Sequence, residues 1–301
     1  MSEEQASYVT LDVFSSEILK GNPLAIVKTG DCKLSQKQKQ QIAKEFNFSE
    51  TVFLHRADQD RYPRADIFTP VNEMEFAGHP IIGTGHFLFR QLSANNPGGS
   101  SNLTSMTKAG PVAVSYGPAR QVVFAERRHS AGFSRSRPLA SDVRGVRDTS
   151  PVVTMVKGVT YALVDLTERV DLFADLVPGA SPELELDEGW APSFTGIMYY
   201  RTLRSRPEGE ITMWELHVRM IAVNLEDPAC GSGSCLLGAY VALSSSKKGR
   251  KHRLYINQGS EMDRRSHIIV DVILNEEMDQ VSSIRLAGEA AFVPDGKISV
   301  N

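Results

Sequence analysis

Residues 226–243 read Glu226-Asp227-Pro228-Ala229-Cys230-Gly231-Ser232-Gly233-Ser234-Cys235-Leu236-Leu237-Gly238-Ala239-Tyr240-Val241-Ala242-Leu243. Two acidic residues and a proline lead into a glycine-rich turn, and the apolar residues from Leu236 onward continue as a helix. The same order of features occurs earlier in the chain. A shift of 153 residues lays Glu73 on Glu226, Ala77 on Cys230, Gly78 on Gly231 and Gly85 on Gly238. Both copies run strand, acidic loop, glycine, helix, and two copies in 301 residues indicate a duplicated domain, not a solenoid.

Working outward, Tyr8 to Phe14 alternates as a strand and Leu24 to Lys28 reads as another, with Gly21-Asn22-Pro23 as turn chemistry between them. The run from Ser35 to Phe46 is rich in helix formers, with Ser35 placed to cap, and Thr51 to Leu54 follows as a strand. Ala65 to Thr69 is strand-like. A helix then starts at Gly78-His79, with Pro80 in its first turn and Ile81, Gly85, Leu88 and Leu92 at helical spacing. In the second half, Val152 to Val156, Thr160 to Val164, Gly196 to Arg201 and Trp214 to Val223 read as strands and Leu172 to Leu176 as a short helix. Between Arg127 and Pro151 the composition turns to Arg, Ser, Gly and Pro, which places the crossing between lobes there. The expected division is therefore 1–126 with a return strand in 288–301, and 127–287.

Bulk properties narrow the function classes. A formal charge of −3 argues against nucleic acid, which calls for a basic face. No apolar run approaches the ~18 residues of a membrane span, and the acidic N-terminus MSEEQASYVTLDVF lacks a signal core. Cys32, Cys230 and Cys235 form neither a disulfide framework nor a metal knuckle, which fits a reducing cytosol. The expectation is a cytoplasmic protein acting on a small molecule, with no nucleic acid and no membrane partner; a homodimer is left open.

The chemistry-bearing residues cluster at the repeat. A glycine turn opening a helix offers free N–H groups and the positive end of the helix dipole to an anion. Gly78 in one copy, and Gly231, Ser232 and Gly233 in the other, would together hold a substrate carboxylate or a developing enolate. The plainer alternative is that these glycines only permit a tight turn. Neither GxxxxGK[ST] nor a complete GxGxxG is present, so a nucleotide-phosphate loop is rejected. His217 and Arg219 alternate with Leu216, Val218 and Met220 on a strand, which reads as a solvated face outside the site.

A further set of motifs resembles the phenazine-biosynthesis-like (PhzF) family, whose members share the fold of diaminopimelate epimerase. The matching segments are Asp12-Val13-Phe14 with Lys20-Gly21-Asn22-Pro23, Asn47-Phe48-Ser49-Glu50-Thr51, Phe68-Thr69-Pro70 with Glu75-Phe76-Ala77-Gly78-His79, and Glu226-Asp227-Pro228 with Gly231-Ser232. Their order and spacing span nearly the whole chain. The resemblance implies an α/β (α+β) protein of two pseudo-symmetric lobes, each a mostly antiparallel sheet wrapped around a central helix, with the site in the cleft between them. It implies a cofactor-independent isomerase that moves a proton by general acid/base catalysis, with no cofactor and no metal.

By the same resemblance, Glu50 is the proton carrier, and a carboxyl in an apolar cleft can have its pKa raised towards working pH. His79 would donate to a substrate oxygen or pass a proton, and Asp227 would orient a substrate group. Taken alone, Glu50 reads as a solvated or capping carboxylate, His79 as a helix cap and Asp227 as an Asx-type turn. Cys230 stands where the epimerases carry a cysteine, and a thiol at a helix start is expected to have a lowered pKa. Its repeat counterpart is Ala77, so a two-thiol racemisation lacks its second thiol. Epimerisation or dehydration through Cys230 and a non-catalytic binding protein on the same fold are the alternatives; Cys235 reads as packing. Ala222-Val223 and Met262-Asp263-Arg264-Arg265 depart from the family pattern, so the substrate does not carry over.

Overall fold

A computed structural model describes residues 4–30, 32–57, 62–95, 100–127, 137–138, 149–156, 158–184, 186, 191 and 193–300. The chain divides into two compact units, Met1–Glu126 with Ala287–Asn301, and Arg127–Leu286.

In the first unit, β1 (Gln5–Val13) pairs antiparallel with β2 (Asn22–Lys28), and α1 (Gln36–Phe46) leads to β3 (Glu50–His55), parallel to β2. β4 (Arg64–Phe68) runs antiparallel to β3 and to the short β5 (Glu73–Met74), after which comes α2 (Gly78–Asn95). β6 (Asn102–Thr107) lies parallel to β4 and continues as a meander through β7 (Gly110–Gly117) and β8 (Val122–Arg127).

The second unit repeats this order. Most of the expected crossing, 128–136 and 139–148, lies outside the described residues; within it, β9 (Arg137–Pro138) pairs with β10 (Thr149–Ser150). Then β11 (Val152–Val156) pairs antiparallel with β12 (Val159–Asp165), and α3 (Val170–Ala174) leads to β13 (Phe194–Glu208), parallel to β12. β14 (Ile211–Ala222) runs antiparallel to β13 and to β15 (Leu225–Asp227), followed by α4 (Gly231–Ser244). β16 (Lys251–Gln258) is parallel to β14 and antiparallel to β17 (Ser266–Leu274), and β18 (Val281–Gly288) carries the chain back. β19 (Ala290–Ser299) then pairs with β1, so the last strand belongs to the first unit.

Local chemistry explains the elements that place the site. Ser35 caps α1 in a reciprocal capping box with Gln38, and Asn47 ends the helix at φ 53, where its short polar side chain tolerates the left-handed region. Ile42 and Ala43 of α1 pack on Ala6, Val27, Phe53 and Phe68, and Phe173 of α3 packs on Val152, Ala162, Val164, Ile197 and Ile221. α2 and α4 are buried through most of their length, as central helices should be. Gly85 and Gly238, equivalent in the repeat, let each helix press on its sheet: a Cβ at Gly85 would lie 2.7 Å from Val123, and one at Gly238 2.9 Å from Val270. Leu92, expected on the apolar face of α2, is 43% exposed in the helix's final turns. Among the described residues no helix is long and apolar enough to cross a membrane.

Two expectations need correction. Asn22 and Pro23 are not turn residues but the first residues of β2, opposite Val13 and Asp12. The connection is the longer Phe14–Gly21 segment, with Phe14, Leu19 and Gly21 at positive φ and the Leu19 N–H donating to Asp12 Oδ2 at 2.5 Å. Nor is Arg219 on a solvated face: it is 4% exposed. Its guanidinium grips Glu226 in a fork, Nε to Oε1 at 2.8 Å and Nη2 to Oε2 at 2.7 Å. It also donates to the carbonyls of Phe173, Ala174 and Leu176 where α3 ends. The α3 segment covers this face of β14, which strand periodicity alone does not reveal. His217 lies 3.0 Å from Glu261 and is likewise only 19% exposed.

Candidate functional site

The sequence-derived residues fall into two groups, one in each unit. In the first, Glu50 opens β3 and His79 lies in the first turn of α2, with Gly78 at its start. His79 Nδ1 is 3.1 Å from Glu50 Oε2, and the side chains are 4% and 16% exposed. The approach to Glu50 is pinned from two motifs: Asn47 closes α1, and Ser49 Oγ lies 3.1 Å from Oδ1 of the buried Asn22.

The electrostatics of Glu50 differ in sign from the sequence expectation. Burial pushes its carboxyl up, but the charge and hydrogen bond of His79, with a hydrogen bond from Ser49, hold it below the ordinary carboxylate range. Glu50 is therefore kept as a carboxylate, a proton acceptor. His79 Nε2 is buried and has no hydrogen-bond partner among the described residues, so this ring nitrogen can still hydrogen-bond.

In the second unit, Asp227 ends β15, and its Oδ1 accepts from the Ala229 N–H at 3.0 Å, an Asx-type turn. Gln258, fully buried at the end of β16, braces this turn. Its Oε1 accepts from the Cys230 N–H at 3.2 Å, and its Nε2 donates to the Asp227 carbonyl at 2.8 Å. Cys230 is the N-cap of α4, its Sγ accepting from the Gly233 N–H at 3.4 Å; Gly231 and Ser232 open the helix. Tyr161 on β12 places its hydroxyl 3.1 Å from Cys230 Sγ and 3.0 Å from Ser232 Oγ.

The lowered thiol pKa expected for Cys230 is overturned. Burial and the charge of Asp227 push the thiol up to about 12, only partly offset by hydrogen bonding with Tyr161, Gly233 and Ser232. The helix dipole does not rescue a thiolate that is 5% exposed beside a carboxylate. Cys235 is buried and also pushed up to about 12, in keeping with packing.

Tyr161 and Gln258 join this turn through hydrogen bonds, and sequence reading missed both. Tyr161 sits in an apolar strand where an aromatic residue reads as core, and Gln258 had only its neighbouring Gly259 as a signal. Among the described residues no three His, Cys, Asp or Glu side chains group as metal ligands.

Comparison with known proteins follows the same motifs. The family model described as phenazine biosynthesis-like protein matches residues 11–144 and 212–296. The "Uncharacterized isomerase mll1393" of Mesorhizobium japonicum is 30% identical, over 98% of this chain and 99% of that protein. The trans-2,3-dihydro-3-hydroxyanthranilate isomerase of Pseudomonas aeruginosa is 51% identical over 78 residues, 26% of this chain and 27% of that enzyme. The crystal structure of the Bacillus anthracis phenazine biosynthesis protein, PhzF family, superposes with a TM-score of 0.73 at 21% identity, covering 98% of this chain and 99% of that one.

Proposed function

The chain belongs to the phenazine biosynthesis-like (PhzC-PhzF) family, and from that premise we propose that it is an isomerase that moves a proton on a small carboxylate without a cofactor, with Glu50 as general acid/base. The observation that carries this reading is the Glu50–His79 pair, a shielded carboxylate held ionised at 3.1 Å from an imidazole. Burial favours the neutral carboxyl, so only His79 and Ser49 keep Glu50 charged, and taking up a proton is correspondingly less costly. In the proposed reaction the carboxylate takes a proton from an acidic C–H, the electron pair left behind delocalises onto the substrate, and the carboxylic acid returns the proton to a different carbon. A helix start offers its free N–H groups and positive dipole end to the substrate's anionic group and to the developing charge.

The carboxylate class is supported by the relatives named for trans-2,3-dihydro-3-hydroxyanthranilate, which match over about a quarter of the chain. Chemistry through a Cys230 thiolate is disfavoured by a thiol pushed up to about 12 and by Ala77 at the repeat-equivalent position.

The test is proton exchange in heavy water. The purified protein is incubated in D2O with trans-2,3-dihydro-3-hydroxyanthranilate and with small carboxylates it captures from cell extract, and carbon-bound deuterium is followed by NMR. The proposal expects enzyme-dependent deuterium at carbon and a loss of roughly 10²-fold or more in Glu50→Gln. Exchange at the full rate in Glu50→Gln, or no exchange by the unaltered protein, overturns it.

A further inference from the structure

The repeat allows the two helix starts to be compared strand by strand. In the first unit, Leu24 on β2 lies opposite Glu50 on β3, and the next residue, Thr51, lies opposite Phe68 on β4. In the second unit, Tyr161 on β12 lies opposite Gly196 on β13, and the next residue, Ile197, lies opposite Ile221 on β14. Phe68 pairs with Glu73, and Ile221 pairs with Glu226, which fixes the correspondence. Gly196 therefore occupies the place of Glu50, and Tyr161 the place of Leu24.

This substitution changes what reaches the helix. With no side chain at position 196, the Tyr161 ring lies against bare backbone: a Cβ there would be 3.1 Å from both Cδ1 and Cε1 of the ring. The ring is 2% exposed, and its hydroxyl reaches Ser232, the repeat counterpart of His79. Each unit thus sends one side chain from this strand pair to the same helical position, Glu50 from β3 in the first and Tyr161 from β12, the counterpart of β2, in the second. In the first it is a carboxylate beside an imidazole; in the second it is a phenol between a hydroxyl and a thiol. Burial and the neighbouring Cys230 push the Tyr161 phenol well above its ordinary value, and the Cys230 thiol is pushed up as well, so both stay neutral. A row of neutral donors can point one way, from thiol to phenol to the Ser232 hydroxyl, leaving the last O–H for an anion.

We propose that Tyr161 is a positioning residue that fixes the Ser232 hydroxyl at the start of α4, so that this helix start binds a carboxylate. The inference rests on the carboxylate-substrate reading above and assigns carboxylate binding to the start of α4.

The test is equilibrium binding on a Glu50→Gln background, where affinity is read without turnover. Three carboxylates serve as probes in calorimetric titrations: trans-2,3-dihydro-3-hydroxyanthranilate, benzoate and acetate. Tyr161→Phe and Ser232→Ala are each expected to weaken binding about tenfold, as for one hydrogen bond to a charged group. The double variant should be no weaker than the weaker single variant, because the phenol acts only through the hydroxyl. Gly196→Ala keeps all three groups but crowds the ring, and should weaken binding several-fold; it decides the matter if Tyr161→Phe does not fold. Unchanged affinity in Tyr161→Phe, fully additive losses, a fall in Tm without loss of affinity, or no binding of any of the three probes would each overturn the proposal. An active Glu50→Gln enzyme in the exchange assay would sink the proton-transfer reading alone, and this binding cycle would still stand or fall by its own outcome.

Discussion

Replacing Arg219 with methionine removes the positive half of an ion pair whose members are 5% and 6% exposed. Glu226 would be left as a buried carboxylate, and the carbonyls of Phe173, Ala174 and Leu176 would lose donors now at 2.9, 3.3 and 2.9 Å. Breaking one side of such a pair costs about 3–5 kcal/mol. At a urea sensitivity of roughly 2 kcal/mol per molar, that lowers the unfolding midpoint by about 1.5–2.5 M. Trp214, buried in the second unit, gives a fluorescence signal for the unfolding of that unit. The variant Arg219→Met/Glu226→Met, which removes both charges, should be more stable than Arg219→Met alone, since no uncompensated charge remains. A midpoint shift below about 0.3 M for Arg219→Met, or losses in the two single variants that simply add, would refute the claim that this pair anchors α3 to the sheet.

Two further outcomes are expected. Val223 and Asn224 join β14 to β15 with φ of 47° and 61°, and a β-branched residue is strained there, so Val223→Gly should raise stability by about 1 kcal/mol in the same urea assay. Asp66 accepts from Lys39 at 2.6 Å and lies 2.8 Å from His55; burial pushes its carboxyl up, but these partners hold it far below the ordinary range. Its contribution is therefore complete above the unfolded carboxylate pKa of about 4 and is lost as pH falls through the folded value. The stability gap between the native chain and Asp66→Asn, read by circular dichroism in urea, should be widest near neutrality and close on acidification; a gap that does not vary with pH would contradict the assignment.

The parts of the fold legible in the sequence are those written in short-range chemistry. Ser35 and Gln38 announce the start of α1, the duplicated acidic-glycine-helix order announces two copies of one domain, and the epimerase-type class is implied by the family resemblance of the motifs. What was not legible depends on partners distant in sequence. Asn22 looks like a turn residue until Ser49, from beyond α1, is found hydrogen-bonded to its side chain. Arg219 looks solvated because alternation along β14 says nothing of the α3 segment that covers it. The carboxyl of Glu50 and the thiol of Cys230 were both expected to move the wrong way, for the same reason. Burial competes with neighbours: His79 and Ser49 outweigh it at Glu50, whereas Asp227 adds to it at Cys230. Tyr161 reads as a core aromatic of β12, and only the contacts of its hydroxyl with Cys230 and Ser232, distant in sequence, set it apart.

The central claim, that Glu50 carries the proton, is tested most directly by the rate of carbon-bound deuterium uptake in D2O for the native chain and Glu50→Gln on one substrate. The account predicts a fall of roughly 10²-fold or more with substrate binding retained. An unchanged exchange rate in Glu50→Gln would contradict it.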